Sequence, residues 1–248
     1  MNELVSIIMP SYNTARFIKE TVDSVFAQTY KNFELIIVDD CSTDDTDDVV
    51  APYLSDARVK YIKNEKNSGA AVSRNRALQE AAGKWIAFLD SDDLWHPEKL
   101  EKQLKFMSEK QCAFSFTHYY FDRGAEGIRE FSPEKDEYTY KDILKHCYIA
   151  CPTVIYDVTA LGKVYMPTDA IKREDFGCWL SILRRGVNAH CLHESLLTVK
   201  IHEGSVSYNK TKMIKYQWNV YRKVEKISFF ATCYYMMHWA IKGFLKYR

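Results

Sequence analysis

Hydrophobic residues fall along this chain in short unbroken runs that alternate with stretches of helical period. Leu4 to Met9 is a β-rich run halted by Pro10, and the segment from Ala15 to about Gln28 follows, with Phe17, Ile18, Val22, Val25 and Phe26 at spacings that share one helical face. Phe33 to Val38 is a second run, ahead of a capped helix over about Thr46 to Leu54. Val59 to Ile62 is a third; Asn67-Ser68-Gly69 then opens a helix that runs through Ala82 and stops at Gly83. Trp85 to Leu89 is a fourth. Apolar runs without polar alternation are the mark of strands buried on both faces, so this half predicts an α/β fold with a mainly parallel sheet flanked by helices.

Past Pro97 the pattern changes. A helix from about Glu98 to Glu109 leads to an aromatic strand, Ala113 to Phe121, and then to a polar stretch, Asp122 to Glu137, that reads as a loop. Tyr138 to His146 looks helical, Cys151 to Tyr156 extended, and Lys172 to Gly186 helical with acids in its first turn and glycine as its stop. Ala189 to Ile201 reads as a strand ending in His202-Glu203-Gly204-Ser205. The chain thus divides into residues 1–110, residues 111–208 and a helical tail, 209–248.

Chemistry gathers where the runs end. The fourth runs directly into Asp90-Ser91-Asp92-Asp93, three carboxylates in four residues, and the second ends in Asp39-Asp40. In a parallel sheet both clusters, and the Pro10-Ser11-Tyr12 turn, lie along one carboxyl edge, where open α/β sheets bind ligands. Three adjacent acids repel one another unless they share a cation, so a divalent metal is expected there. A helix cap at Asp92 or Asp93 would account for one of them. No glycine-rich phosphate loop follows the first run, so a diphosphate would be met mainly by the metal.

Composition narrows the class. The chain has 248 residues, 47% of them apolar, which is enough for a sizeable core, and its formal charge of +1 argues against a protein that coats nucleic acid. The charge is uneven: Asn209 to Arg248 carries nine Lys or Arg against one acid, Glu225. The tail's apolar segment, Ile227 to Ile241, is too short for the roughly 20 residues of a spanning helix. Its aromatics and basic flanks suit an amphipathic helix lying on an anionic membrane surface, or one packed on protein. Seven cysteines, odd in number and without a C-x-x-C pair, suggest neither a disulfide framework nor a zinc site. His118, His146, His190 and His193 have no spacing that marks a site. With no basic, apolar and cleavage-site succession at the N-terminus, a cytoplasmic location is expected.

Several motifs in order resemble family 2 glycosyltransferases of the GT-A fold: Val5-Ser6-Ile7-Ile8-Met9-Pro10-Ser11-Tyr12-Asn13, Ser24 to Tyr30, Phe33 to Asp44, Asn67-Ser68-Gly69 with Ser73-Arg74-Asn75, and Phe88 to Asp93. The match thins after residue 110, where Glu174-Asp175 and Trp179-Leu180 resemble the acceptor-side motif. The Q-x-x-R-W motif of processive synthases is absent, which implies one sugar added per encounter. The resemblance implies a Rossmann-like GT-A domain with a C-terminal amphipathic helical extension, and an inverting, metal-dependent transfer from a nucleotide sugar, with a UDP-sugar favoured.

Carried over residue by residue, it implies that Asp40 accepts from the uracil ring bordered by Pro10 and Tyr12, and that Arg74 lies near base and phosphates. Asp90 and Ser91 then belong to the nucleotide site, and Asp92 or Asp93 holds Mn²⁺ or Mg²⁺, with His202 as a further ligand. Asp175 becomes the general base. Arg74 as a surface helix residue, and Glu174 and Asp175 as complements to a helix N-terminus, are the structural alternatives. The expected acceptor is a saccharide or lipid-linked saccharide in cell-surface polysaccharide or lipopolysaccharide synthesis, at the inner face of the cell membrane if the tail, residues 211–248, docks there. An aspartyl-nucleophile phosphatase and a non-catalytic nucleotide- or glycan-binding module are the competing functions.

Overall fold

The computed structural model describes residues 3–170, 172–202 and 210–246. One sheet organises them. In chain order the first half consists of β1 (Val5–Ser11), α1 (Ile18–Phe26), β2 (Phe33–Asp39), α2 (Thr46–Val50), β3 (Val59–Lys63), α3 (Ala70–Glu80) and β4 (Trp85–Phe88). The second half holds β5 (Leu94–Trp95), α4 (Lys99–Lys110), β6 (Phe114–Asp122), β7 (Ile128–Phe131), β8 (Glu137–Tyr138), α5 (Tyr140–Lys145), β9 (Ile155–Asp157), α6 (Val158–Leu161), α7 (Glu174–Leu183) and β10 (Ala189–Lys200). The strand order is β3-β2-β1-β4-β9-β6-β10-β5, with β7 beside β6 and β8 beside β10. β1 pairs in parallel with β2 and β4, and β2 with β3. β9 enters antiparallel between β4 and β6 and so joins the two halves into one sheet.

The unbroken apolar runs have a direct packing cause. Along β1, Val5, Ile7 and Met9 face one core while Ile8 faces the other; along β2, Leu35 and Ile37 are divided in the same way from Ile36 and Val38, and along β4, Trp85 and Ala87 from Ile86 and Phe88. Successive side chains alternate across a strand, so a strand with a core on each side has no position left for a polar residue. The interior exceptions pair with each other, Glu34 on β2 and Ser6 on β1. Fully buried, Ser6 donates to Glu34 Oε1 at 2.6 Å and accepts from Gly83 N at 2.8 Å.

That pairing revises the expected helix stop at Gly83. α3 ends at Glu80, and Gly83 is required for closeness: a Cβ there would lie 2.7 Å from Leu4 O, Ser6 N and Ser6 Oγ. Gly186, by contrast, follows α7 with φ +84°, the left-handed conformation that suits glycine. The stretch expected as a loop after residue 121 contains β7, antiparallel to β6, and β8. A helix cap at Asp92 or Asp93 is not found: those residues lead into β5, and α4 starts only at Lys99.

The tail comprises α8 (Lys210–Asn219), a π-helical turn at Val220–Val224 and α9 (Phe229–Lys246). Val220 and Tyr221 are fully buried in the same core as Phe88 and Trp179, and the Tyr221 hydroxyl donates to Leu144 O. Tyr235 and Met236 pack against that core too. Among the described residues no helix is long and apolar enough to cross a membrane.

Candidate active site

The strand order reverses between β1 and β4, and at their carboxyl ends lies a cleft of about 660 Å³. Pro10 and Ser11 border it from β1, Tyr12 from the turn that follows, Asp40 from beyond the end of β2, Arg74 from α3, and Asp90 to Asp93 from beyond the end of β4. Glu174 and Asp175 face it from the first turn of α7, and Lys200 from β10.

Each acid has its own surroundings. Asp40 is held by the loop that opens α3: its carboxylate accepts from Asn64 Nδ2 at 2.8 Å, Ser68 N at 2.9 Å and Gly69 N at 2.7 Å, and Gly69 adopts φ +89° to turn its N–H inward. Asp90 receives Arg74 Nη2 at 2.6 Å, and the other arm of the same guanidinium, Nη1, reaches Glu174 Oε1 at 2.8 Å. Arg74 is therefore a buried strut between the end of β4 and the start of α7, not a surface residue.

Asp92 and His202 meet at 2.9 Å through Oδ2 and Nε2, and the imidazole stacks on Phe17 with ring centroids 4.5 Å apart. Asp93 turns inward, where its Oδ1 accepts from Lys200 N at 3.1 Å. The Glu203, Gly204 and Ser205 that were expected to follow His202 lie outside the described residues.

These acids carry unequal burdens. Burial pushes the Asp93 carboxyl well above the usual carboxylate range, Asp92 and Asp90 add to the rise, and Lys200 opposes it. Asp92 is raised by burial and by Asp90, against a lowering pull from His202. Burial also raises Asp175, with Glu174 reinforcing it and Arg173 opposing. Asp175 Oδ1 accepts from Phe176 N at 2.7 Å, so it completes the start of α7 while facing the cleft. The carboxyl oxygens of Asp92 and Asp93 are hard donors, of a kind that fits Mn²⁺ or Mg²⁺ better than a soft metal.

A family model described as glycosyl transferase family 2 matches residues 6–165, the span that carries β1 through β9. The chain belongs to that family. A Bacillus subtilis (strain 168) protein named for teichuronic acid biosynthesis, the glycosyltransferase TuaG, is 43% identical over 239 residues, covering 96% of this chain and 94% of its own. An Escherichia coli protein, UDP-Glc:alpha-D-GlcNAc-diphosphoundecaprenol beta-1,3-glucosyltransferase WfaP, is 41% identical over 246 residues, covering 99% of this chain and 96% of its own. Among solved structures, S. aureus TarS 1-349 in complex with UDP-GlcNAc superposes with a TM-score of 0.74 at 25% identity, over 90% of this chain and 65% of that one. As a family 2 member with this topology, the chain has the expected GT-A fold.

Every expected site residue except His202 lines this cleft, and His202 touches it through Asp92. Sequence reasoning missed the contribution of Glu174 as the second partner of Arg74, and that of Lys200, whose backbone N–H holds Asp93. The E-D pair was visible, but the pairing spans a hundred residues and has no local signal.

Proposed function

We propose that this family 2 enzyme transfers a hexosyl or N-acetylhexosaminyl group, with inversion, from a UDP-sugar to a hydroxyl of a lipid-linked saccharide in cell-surface polysaccharide synthesis. The observation that carries this reading is the convergence of two chemistries on one cleft: strand-end carboxylates suited to a nucleotide diphosphate and its metal, and a buried first-turn acid opposite them. The WfaP name supports a UDP-sugar donor and a diphosphoundecaprenol-linked acceptor, and TarS with UDP-GlcNAc supports a uridine nucleotide. The mannosyltransferase PcManGT from Pyrobaculum calidifontis, in complex with GDP-Man and Mn²⁺, has the same fold at 18% identity and a TM-score of 0.69.

In this reading the uracil lies between Pro10 and Tyr12, and its imide N–H donates to Asp40 in place of one of the loop donors that the carboxylate now accepts. Asp90 and Ser91 border the ribose and phosphates, and Arg74 keeps Asp90 aligned beside them. Asp92, with His202, would hold Mn²⁺ or Mg²⁺, with Asp93 behind it on Lys200 N. The ion would supply positive charge for the departing diphosphate. Asp175 accepts the proton of the attacking hydroxyl. Its raised pKa makes it a stronger proton acceptor than an exposed aspartate.

Membrane proximity is part of the same proposal. On α9, Phe230, Tyr234, Met237 and Ile241 follow a 4-3-4 spacing and form one exposed stripe; Phe230 is 85% exposed. Arg222, Lys223 and Lys226 are exposed just before it. Apolar side chains on one face with basic residues beside them suit the surface of an anionic bilayer, where an undecaprenyl-linked acceptor resides. Replacing Phe230, Met237 and Ile241 by serine tests this more cleanly than removing the tail, because truncation also removes the buried Tyr221. Association with phosphatidylglycerol vesicles should fall at least about tenfold, and unchanged association would contradict the docking.

The test of function is a panel of UDP-, GDP- and dTDP-sugars offered with diphosphoundecaprenol-linked GlcNAc, in Mn²⁺ or in chelator, with the product anomer read by NMR. Metal-dependent transfer from one UDP-sugar with an inverted anomer is expected. Phosphate release from monoesters, or nucleotide binding without transfer across the panel, would refute the reading.

A further inference from the structure

Three donors of a kind unlike those of the cleft meet on the other half of the sheet. His118 lies on β6, and Cys191 and His193 on the adjacent, parallel β10; one ligand atom from each lies within 4.8 Å of the other two. The sequence conceals this grouping. Cys191 and His193 are two residues apart on β10, and His118 is brought to them only by pairing and by an irregularity in β10. The register runs Leu192 opposite Thr117 and then Ser195 opposite His118, so the additional residues, His193 among them, bulge toward His118. The two imidazoles stand edge to face with centroids 4.9 Å apart.

The surrounding hydrogen bonds orient both rings. His118 Nε2 donates to the carbonyl of Pro133 at 3.1 Å, and His193 Nε2 donates to Asp136 Oδ1 at 2.9 Å. With Nε2 protonated on each ring, Nδ1 carries the lone pair. An imidazole that gives its far N–H to a carbonyl or carboxylate, leaving the other nitrogen for a metal, is the usual second layer of a histidine metal site. The Pro133–Asp136 connection supplies both acceptors, and its Asp136 carbonyl also accepts from Cys191 N at 2.8 Å. One short segment thus braces all three donors. Asp136, Cys191 and His193 border a cavity of about 290 Å³, which leaves room for a water as a fourth ligand.

A cysteine nucleophile activated by His193 and Asp136 is the other chemistry such a trio could offer. It fits less well, because reactive cysteines stand in partly exposed surroundings and Cys191 is 1% exposed.

We propose that His118, Cys191 and His193 bind a zinc ion, with water in the fourth position, and that this ion fastens β6, β10 and the connection ahead of β8. Two imidazole nitrogens and a thiolate are a borderline-to-soft set that selects zinc over Mn²⁺ or Mg²⁺. Binding releases the Cys191 proton to solvent and forms one Zn–S and two Zn–N bonds, with no redox change. The carboxylate site of the cleft and this site therefore sort two kinds of cation by donor chemistry, and the proposal is independent of the transferase reading.

Cobalt is the direct probe. Tag-free, metal-stripped protein titrated with Co²⁺ should give a thiolate-to-cobalt charge-transfer band and the strong visible bands of tetrahedral cobalt at one equivalent, with zinc displacing both. Cys191→Ser should abolish the charge-transfer band. His193→Ala, at a partly exposed position that leaves the core intact, should weaken zinc binding by about 100-fold or more, and Asp136→Asn by about 10-fold. Asp92→Asn should leave the spectrum unchanged. No charge-transfer band in the wild type, or a band that persists in both Cys191→Ser and His193→Ala, would overturn the site. Should Cys191→Ser fail to fold by circular dichroism, His193→Ala decides alone.

Discussion

On the β1, β2 and β4 wall of the cleft Asp40, the acid placed for the nucleotide base, is fixed mainly by backbone, through the N–H groups of Ser68 and Gly69. The opposite wall, formed by α7 and the end of β10, meets the first through two side-chain pairs, Arg74 with Glu174 and His202 with Asp92, and one backbone donor, Lys200 N to Asp93. Backbone donors preorganise a site at no further entropic cost, whereas side-chain pairs can lengthen or exchange partners when a ligand enters. On the proposed reading, the difference suits a donor wall that holds one nucleotide in register and an acceptor wall that admits a second substrate and releases a product.

The largest expected effect comes from cutting the strut between the walls. Arg74→Ala leaves Glu174 and Asp90 facing the cleft without their shared cation, and removing one member of a buried pair costs about 3–5 kcal/mol. Chemical denaturation should register that loss together with a fall in transfer activity. Arg74→Lys should recover only part of either, because a single ammonium cannot bridge both carboxylates as the fork does. Full recovery by lysine would mean that the pair supplies charge and no geometry.

Next in size is the rigidity of the donor wall. Gly83→Ala drives a methyl group to 2.7 Å from the backbone of β1, and should destabilise by about 2–3 kcal/mol, read as a lowered midpoint in urea. If the donor wall is as stiff as its backbone contacts imply, UDP affinity should fall as well. A stable variant with unaltered UDP binding would show that β1 can shift without disturbing the nucleotide site.

How much of this was legible in the sequence follows the same division. On the donor wall the apolar runs and the acids that end them are contiguous, so strand, edge and carboxylate are read from a few residues at a time. Elsewhere the information is distributed. β7, Ile-Arg-Glu-Phe over 128–131, is a largely exposed strand whose pairing with β6 leaves little hydrophobic pattern, and it reads as loop. Gly83 looks like a helix stop because nothing local announces that β1 passes beneath it. Tyr221 and Tyr234 belong to the same aromatic-rich tail, yet one is buried and the other 46% exposed, which depends on where α5 and α7 lie. His118 and His193 seemed without purpose for the same reason, because strand register alone brings them together.

A smaller effect should appear in the pH profile. Asp175 is raised by burial, so it is protonated, and unable to accept a proton, over a range in which an exposed aspartate is already ionised. Turnover at saturating donor should therefore rise with pH through that raised pKa, and the affinity for UDP should not follow it. A rate that does not rise with pH above the range in which an exposed aspartate ionises would place the base elsewhere.

The division of labour between the walls is tested most directly by Asp175→Asn, assayed for both UDP-sugar binding by calorimetry and single-turnover transfer to the lipid-linked acceptor. Asparagine keeps the acceptor oxygen for Phe176 N, so α7 should stay in place. Donor affinity is predicted to remain within about twofold while the transfer rate falls by about 10²–10⁴-fold. Wild-type transfer by this variant, or loss of donor binding in proportion to rate, would contradict the assignment of chemistry to the α7 wall.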